Sequence, residues 1–273
     1  MSAQDLAAVI AIAQEGGRLV TEMRRGQLAI RSKSSAIDLV TEADVACQAL
    51  IFDRLHTLAP EVGFWGEESD AGRPDTDYFW LVDPIDGTVN YAHNVPWYGV
   101  NIALNRGDET LLGVTLGLPS GTLFWAEKGK GAFSQEVGGV AQRMQVSTAK
   151  SLSTSLLSTG FPYHRGKHPD NNGAEFARIM PKCQGVRRMG SFVLDMAHVA
   201  AGHLEAHWEA GGHAWDAAPG LLMIQEAGGT VTTYAGAPWL PEDRTILASN
   251  GLIHEELLAE IQTARSTLTA TMY

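Results

Sequence analysis

Three β-rich runs fill residues 98–133, divided by the turn clusters NRGDE, LPSG and KGKG. Runs joined this closely form a meander. Helix signals lie on both sides. Residues 3–25 place Leu6, Val9, Ile10, Ala13, Leu19, Val20 and Met23 near a 3.6-residue period, the mark of an amphipathic helix. Thr41 opens a second helix, TEADVACQALIFDRLHTLAP, which ends before Pro60. VGFWG (62–66) and YFWLV (78–82) read as short buried strands, and RSKSSAIDLV (31–40) as a loop or short hairpin. After the meander come a strand at 155–160, a helix in NNGAEFARIM, a helix at 191–201, a strand at 204–209 and a helix at 217–227. The strands TVTTY and TILAS and a helix from about His254 complete the chain. A meander interleaved with helices implies mixed α and β structure in layers. Periodicity takes the fold no further.

With 273 residues the chain is one large domain or two lobes. Asp and Glu outnumber Lys and Arg by 31 to 20, a net charge of −11. Arg24-Arg25 and Arg187-Arg188 are only pairs, so nothing here tracks a phosphate backbone and nucleic acid is excluded as a main partner. An anionic substrate would need cations to recruit it. Cys47 and Cys183 stand 136 residues apart, outside any CxxC pair, which fits a reducing compartment and no disulfide framework. The first residues lack a basic n-region, and no uncharged apolar run reaches about 18 residues. The expected location is cytoplasmic, with no membrane partner.

The stretch WLVDPIDGTVNY (80–91) sets two acids, Asp83 and Asp86, directly after an apolar run. Pro84 holds Asp83 in extended backbone. A sharp turn is expected next, with Asp86-Gly87-Thr88 starting a short helix. Two carboxylates on one turn can share Mg²⁺, which takes oxygen ligands in octahedral geometry. The Ile85 carbonyl is a third candidate ligand, and the N–H groups of Gly87 and Thr88 would face a phosphate. A plain acidic turn, with Asp86 as helix N-cap, accounts for the same letters. GEES (66–69) adds Glu67 and Glu68 at another strand end, where adjacent glutamates repel unless one meets a cation. Open sheets place ligands at strand C-termini. In HAWDAAPG (213–220), Asp216 precedes an Ala-Ala-Pro helix start, with Pro219 in the first turn, and an N-cap role competes with metal ligation.

Together these stretches resemble the inositol monophosphatase family of Mg²⁺-dependent, lithium-sensitive phosphatases. GEES, WLVDPIDGTVNY and HAWDAAPGLLMIQEAGG stand in its order and spacing, KSSAIDLVTEAD and TGFPY match flanking features, and the likeness covers about residues 5–265. The resemblance implies a layered αβαβα sandwich of the inositol monophosphatase and fructose-1,6-bisphosphatase type, and a homodimer. It implies one phosphatase unit whose halves, about residues 1–140 and 141–273, hold the metal site between them. Glu67, Asp83 and the Ile85 carbonyl would hold one Mg²⁺, Asp83, Asp86 and Asp216 a second, and Glu67 would help a looser third. Two such ions clamp the attacking and leaving oxygens of an in-line displacement and supply hydroxide near neutral pH. Thr88 would orient the water, with Asp44 accepting from its hydroxyl. Asp44 is also the N3 member of a near capping box opened by Thr41. Lys33 resembles the family's mobile-loop lysine near the entrance, against the plainer account of a solvated surface lysine.

Glu209 in HWEAGG matches the residue that contacts substrate hydroxyls, and Gly190, Ser191 and Phe192 lie where the family lines the substrate pocket, with Asp216 beside them. Phe192 departs from the small residue usual there, and Val89 and Tyr91 depart from the commoner Thr and Phe. DGTVN lacks the DGTKEF pattern of bisphosphate nucleotidases. The implied reaction is hydrolysis of a small polyol or sugar phosphate, foremost myo-inositol 1-phosphate. Histidinol-phosphate phosphatase and fructose-1,6-bisphosphatase are the rival enzymes, and a metal-dependent regulator on the same fold is the rival outside catalysis. His198, His203, His207 and His213 spread across helix, strand and loop and do not make a zinc site. There is no GxSxG and no GxxxxGK[ST].

Overall fold

The computed structural model describes residues 3–25, 30–33, 39–69, 71–168 and 170–271. A hairpin of β1 (Ile30–Ser32) and β2 (Leu39–Thr41) follows the first helix, so the hairpin reading of 31–40 holds at both ends, and residues 34–38 lie outside the described residues. A seven-stranded sheet runs in chain order through β3 (Gly63–Gly66), β4 (Tyr78–Asp86), β5 (Tyr98–Arg106), β6 (Glu109–Leu118), β7 (Leu123–Glu127), β8 (Gly131–Gln135) and β9 (Gln142–Arg143). All its pairs are antiparallel except β3 with β4. A five-stranded mixed sheet contains β10 (Leu156–Thr159), β11 (Gly185–Arg187), β12 (Ala206–Ala210), β13 (Thr230–Thr232) and β14 (Thr245–Ser249), in the order β11-β10-β12-β14-β13. The described helices are α1 (Ala3–Met23), α2 (Glu42–Leu58), α3 (Thr88–Ala92), α4 (Gly173–Ile179), α5 (Phe192–Ala200), α6 (Ala214–Glu226) and α7 (His254–Thr271).

Three apolar cores separate five layers. Val9, Ala13, Cys47 and Ile51 of α1 and α2 pack on Trp80, Val82 and Ile102 of the large sheet. Its other face, with Phe79, Leu81 and Ala103, meets α5 and α6, which also cover one face of the small sheet. Leu257 and Ile261 of α7 close the far face over Trp208 and Leu247. The order α/β/α/β/α is the expected sandwich. The two-residue alternation of a strand decides where the acids go. Trp80 and Val82 face α1 and α2, Phe79 and Leu81 face α6, and Asp83 continues the second set.

The structure redraws several expected elements. The meander holds four strands in 98–135 because the KGKG turn starts a further one, β8. VGFWG is half-buried, since β3 is the sheet's edge. The strand YFWLV continues through Asp86, so both acids stand on it. Helix α6 begins at Ala214, three residues early, which makes Asp216 the third helical residue and puts Pro219 inside the helix. His203 precedes β12 and pairs with His198 at 2.8 Å (Nδ1 to Nδ1). Among the described residues no helix is long and apolar enough to cross a membrane.

Candidate functional site

Three elements bring three carboxylates together. Strand β4 pairs with β5 as far as Asp83 opposite Asn101, slips register, and resumes at Asp86 opposite Gly99. Such an irregularity re-aims side chains. Asp83 Oδ1 accepts from the Ile85 N–H at 3.0 Å. Asp86 Oδ2 accepts from the Ser191 hydroxyl and from the Val193 N–H at 3.1 Å. Asp86 therefore caps the first turn of α5, across the molecule, and not α3, whose N-cap is Gly87. Asp216 Oδ2 accepts from the His213 N–H at 2.8 Å, the reciprocal half of a capping box. Asp83, Asp86 and Asp216 then offer oxygens that all lie within 4.8 Å of one another.

Burial and mutual repulsion dominate this cluster. Asp83 is pushed well above the usual carboxylate range, by burial first and then by the charges of Glu67, Asp86 and Asp216. Asp216 is pushed up by burial, then by Asp86 and Glu67. Burial raises Asp86 to about 7 against the hydrogen bonds from Ser191 and Val193. Carboxylates packed this closely need protons or a cation to offset them. The donors are all oxygen, with no His or Cys among them, which suits a hard cation such as Mg²⁺. Glu67 stands beside the group, close enough to raise Asp83, but its Oε1 turns to Lys33 Nζ at 2.8 Å. Lys33 also pairs with Glu68, so it is the cation those adjacent glutamates require and not a freely solvated lysine. Glu68 is raised to about 7 by burial, then by Glu67.

Behind the cluster sits a hydroxyl held from two sides. Thr88 Oγ1 lies 3.1 Å from Asp44 Oδ1 and 3.0 Å from the Ile85 carbonyl, either of which can take its proton. The other Asp44 oxygen accepts from the Thr41 N–H at 2.7 Å and the Thr41 hydroxyl at 2.6 Å. Asp44 thus serves as cap and as partner of Thr88 together, and burial raises it to about 6. Gly87 turns the chain into α3 with φ of +88°. A Cβ there would stand 3.0 Å from the Gly190 carbonyl oxygen, so only glycine fits the joint between DGT and GSF.

The acids face a cavity of about 730 Å³. Gly87, Thr88, Ile85, Gly190, Ser191, Phe192 and Glu209 all line it. The Phe192 ring packs edge-on against His207 at 4.9 Å, and Glu209 stands 3.4 Å from His207 Nε2. Arg188 and Asp195 also line the cavity, and neither was singled out from the sequence. Asp195 was findable as a lone acid in the apolar helix FVLDMAHVAA, and Arg188 by its place just before GSF. Asp195 is buried, 3.7 Å from His207 Nδ1, and raised by burial, then by Glu209 and Asp86.

Comparison with known proteins bears on the family and the fold. A sequence model described as the inositol monophosphatase family matches residues 2–266. The inositol-1-monophosphatase of Caulobacter vibrioides is 39% identical over 236 residues, 85% of this chain and 91% of that one. Among solved structures, the extragenic suppressor protein suhB of Bartonella henselae aligns with a TM-score of 0.86 at 32% identity, covering 95% of this chain and 98% of that one. The inositol monophosphatase of Anabaena (Nostoc) sp. PCC 7120 aligns with a TM-score of 0.83 at 34% identity, covering 95% and 96%.

Proposed function

Because this chain belongs to the inositol monophosphatase family and is a phosphatase by that membership, we propose that it hydrolyses a small polyol or sugar phosphate, foremost myo-inositol 1-phosphate. The observation that carries the reading is the convergence of Asp83, Asp86 and Asp216 in a cavity that Glu209 also lines.

In this reading Glu67, Asp83 and the Ile85 carbonyl hold one Mg²⁺, Asp83, Asp86 and Asp216 a second, and Glu67 assists a third. Bound there, Mg²⁺ supplies charge neutralisation and an easily deprotonated water. The chain's own groups do the rest. The N–H groups of Gly87 and Thr88 cradle the phosphoryl oxygens. Thr88, its proton directed to Asp44 or Ile85, keeps lone pairs to orient the attacking water in line with the leaving oxygen. Glu209 accepts from substrate hydroxyls, Phe192 packs beside the ring, and Gly190, Ser191 and Asp216 shape the floor. Catalysis is then positioning and charge stabilisation. The reading includes lithium sensitivity, a cytoplasmic homodimer, and one unit with the site between the halves 1–140 and 141–273.

Two observations favour rivals. Arg188 and Arg165 on the cavity wall suit a second phosphate, as in fructose 1,6-bisphosphate. Asp195 and Glu209, a pair of acids flanking His207 in the cavity, suit an amine, as in histidinol phosphate. Phosphate release from these three substrates, with Mg²⁺ and with EDTA, decides among them. Inositol 1-phosphate should have the highest kcat/KM, and only with Mg²⁺. A higher value for a rival replaces the substrate, and no release from any of them favours a regulator on the same fold.

A further inference from the structure

Pro219 inside α6 leaves a defect that one side chain from the sheet repairs. Proline has no N–H, so the Trp215 carbonyl four residues earlier loses its helical donor. Asn101 Nδ2 donates to that carbonyl at 2.7 Å and reaches the Asp216 carbonyl at 3.3 Å. Asn101 is fully buried on β5, and its Oδ1 accepts from the Thr115 hydroxyl of β6 at 2.5 Å, which sets the direction of the amide. It is also the ladder partner of Asp83. One side chain therefore ties the strand pair that carries Asp83 to the helical turn that carries Asp216. The sheet comes up against that turn again two residues before Thr115. A Cβ on Gly113 would lie 2.6 Å from the Pro219 Cα, so glycine alone lets α6 lie this close.

We propose that Asn101 is a positioning residue for the metal centre: by taking the carbonyl that Pro219 frees, it holds the first turn of α6 at the distance from β4 at which Asp216 joins Asp83 and Asp86. The inference rests on the reading of those three carboxylates as Mg²⁺ ligands. Asn101 touches no substrate. Its effect passes through the backbone of Trp215 and Asp216.

Pro219 itself supplies the control. In Pro219→Ala the helix regains its own N–H for the Trp215 carbonyl, and the need for Asn101 disappears. Mg²⁺ binding is titrated calorimetrically, without substrate, on the wild type, Asn101→Leu, Pro219→Ala and the double variant. Asn101→Leu should weaken Mg²⁺ binding about tenfold, the order expected for a lost buried hydrogen bond. The double variant should bind within about twofold of Pro219→Ala, because the coupled pair shares one carbonyl. Should Asn101→Leu fail to fold, the double variant should fold and bind. Wild-type affinity in Asn101→Leu overturns the role of Asn101, and so does a double variant that binds no better, or folds no better, than the single one. A wild type that takes up no Mg²⁺ sinks the metal reading itself and this role with it.

Discussion

Asp86→Asn should stabilise the metal-free protein while nearly abolishing turnover. Asp86 keeps two protein hydrogen bonds through Oδ2, to Ser191 and Val193, and the Asn carbonyl oxygen can accept both. What the substitution removes is a charge that burial first, and then Glu209 and Glu67, make unfavourable. A carboxyl raised from 3.8 to about 7 in the folded state corresponds to ~4 kcal/mol of unfavourable ionisation. The group is only part-buried and lines the cavity, so screening leaves about 2 kcal/mol. The sign follows from the raised value. The cost is absent below about pH 4, grows as the unfolded chain ionises while the folded one keeps its proton, and is complete above about pH 7. In EDTA at pH 8, Asp86→Asn should melt about 3–4 °C above wild type, and at pH 5 the gap should fall to less than half. Mg²⁺ should reverse the order, since saturation at 100 times Kd stabilises the wild type by ~2.7 kcal/mol and the variant far less. Differential scanning calorimetry reads all of this. A variant less stable than wild type in EDTA at pH 8 would refute the electrostatic account, and one that keeps wild-type turnover at low Mg²⁺ would refute the ligand assignment.

Glu209→Gln should raise KM for inositol 1-phosphate far more than KM for p-nitrophenyl phosphate, because only a hydroxyl-rich substrate loses charge-assisted bonds when one carboxylate oxygen becomes a donor NH₂ and the charge is removed. Steady-state kinetics on both substrates checks this, and equal effects would remove Glu209 from substrate recognition. Thr88→Val should lower kcat by ~100-fold or more while leaving Mg²⁺ half-saturation near wild type, since the hydroxyl orients the attacking water and is not a ligand. A Thr88→Val enzyme with wild-type kcat would return Thr88 to its hydrogen bonds with Asp44 and Ile85 as a purely structural group.

Local chemistry made much of this molecule legible in its letters. Thr41 and Asp44 form their capping box because both members lie within four residues. Phe79 to Val82 is an unbroken apolar run of strand length, buried on both faces, and the two-residue count of a strand places Asp83 on the face toward α6. The clustered motifs sufficed to nominate Asp83, Asp86 and Asp216 together. Their neighbours were another matter. Helix α6 read as starting at 217 because Pro219 suits a first turn, and nothing local shows that Asn101, 118 residues earlier, satisfies the carbonyl an internal proline exposes. Asp86 read as the cap of the helix beside it, yet it caps α5 more than 100 residues on, because the register slip in β4 turns its carboxylate across the molecule. Lys33 read as a surface cation until the fold set two glutamates against it. Periodicity and capping are rules about neighbours in the chain, so they are written in the sequence. Which buried donor meets which buried acceptor depends on how the layers stack, and only the assembled core decides that.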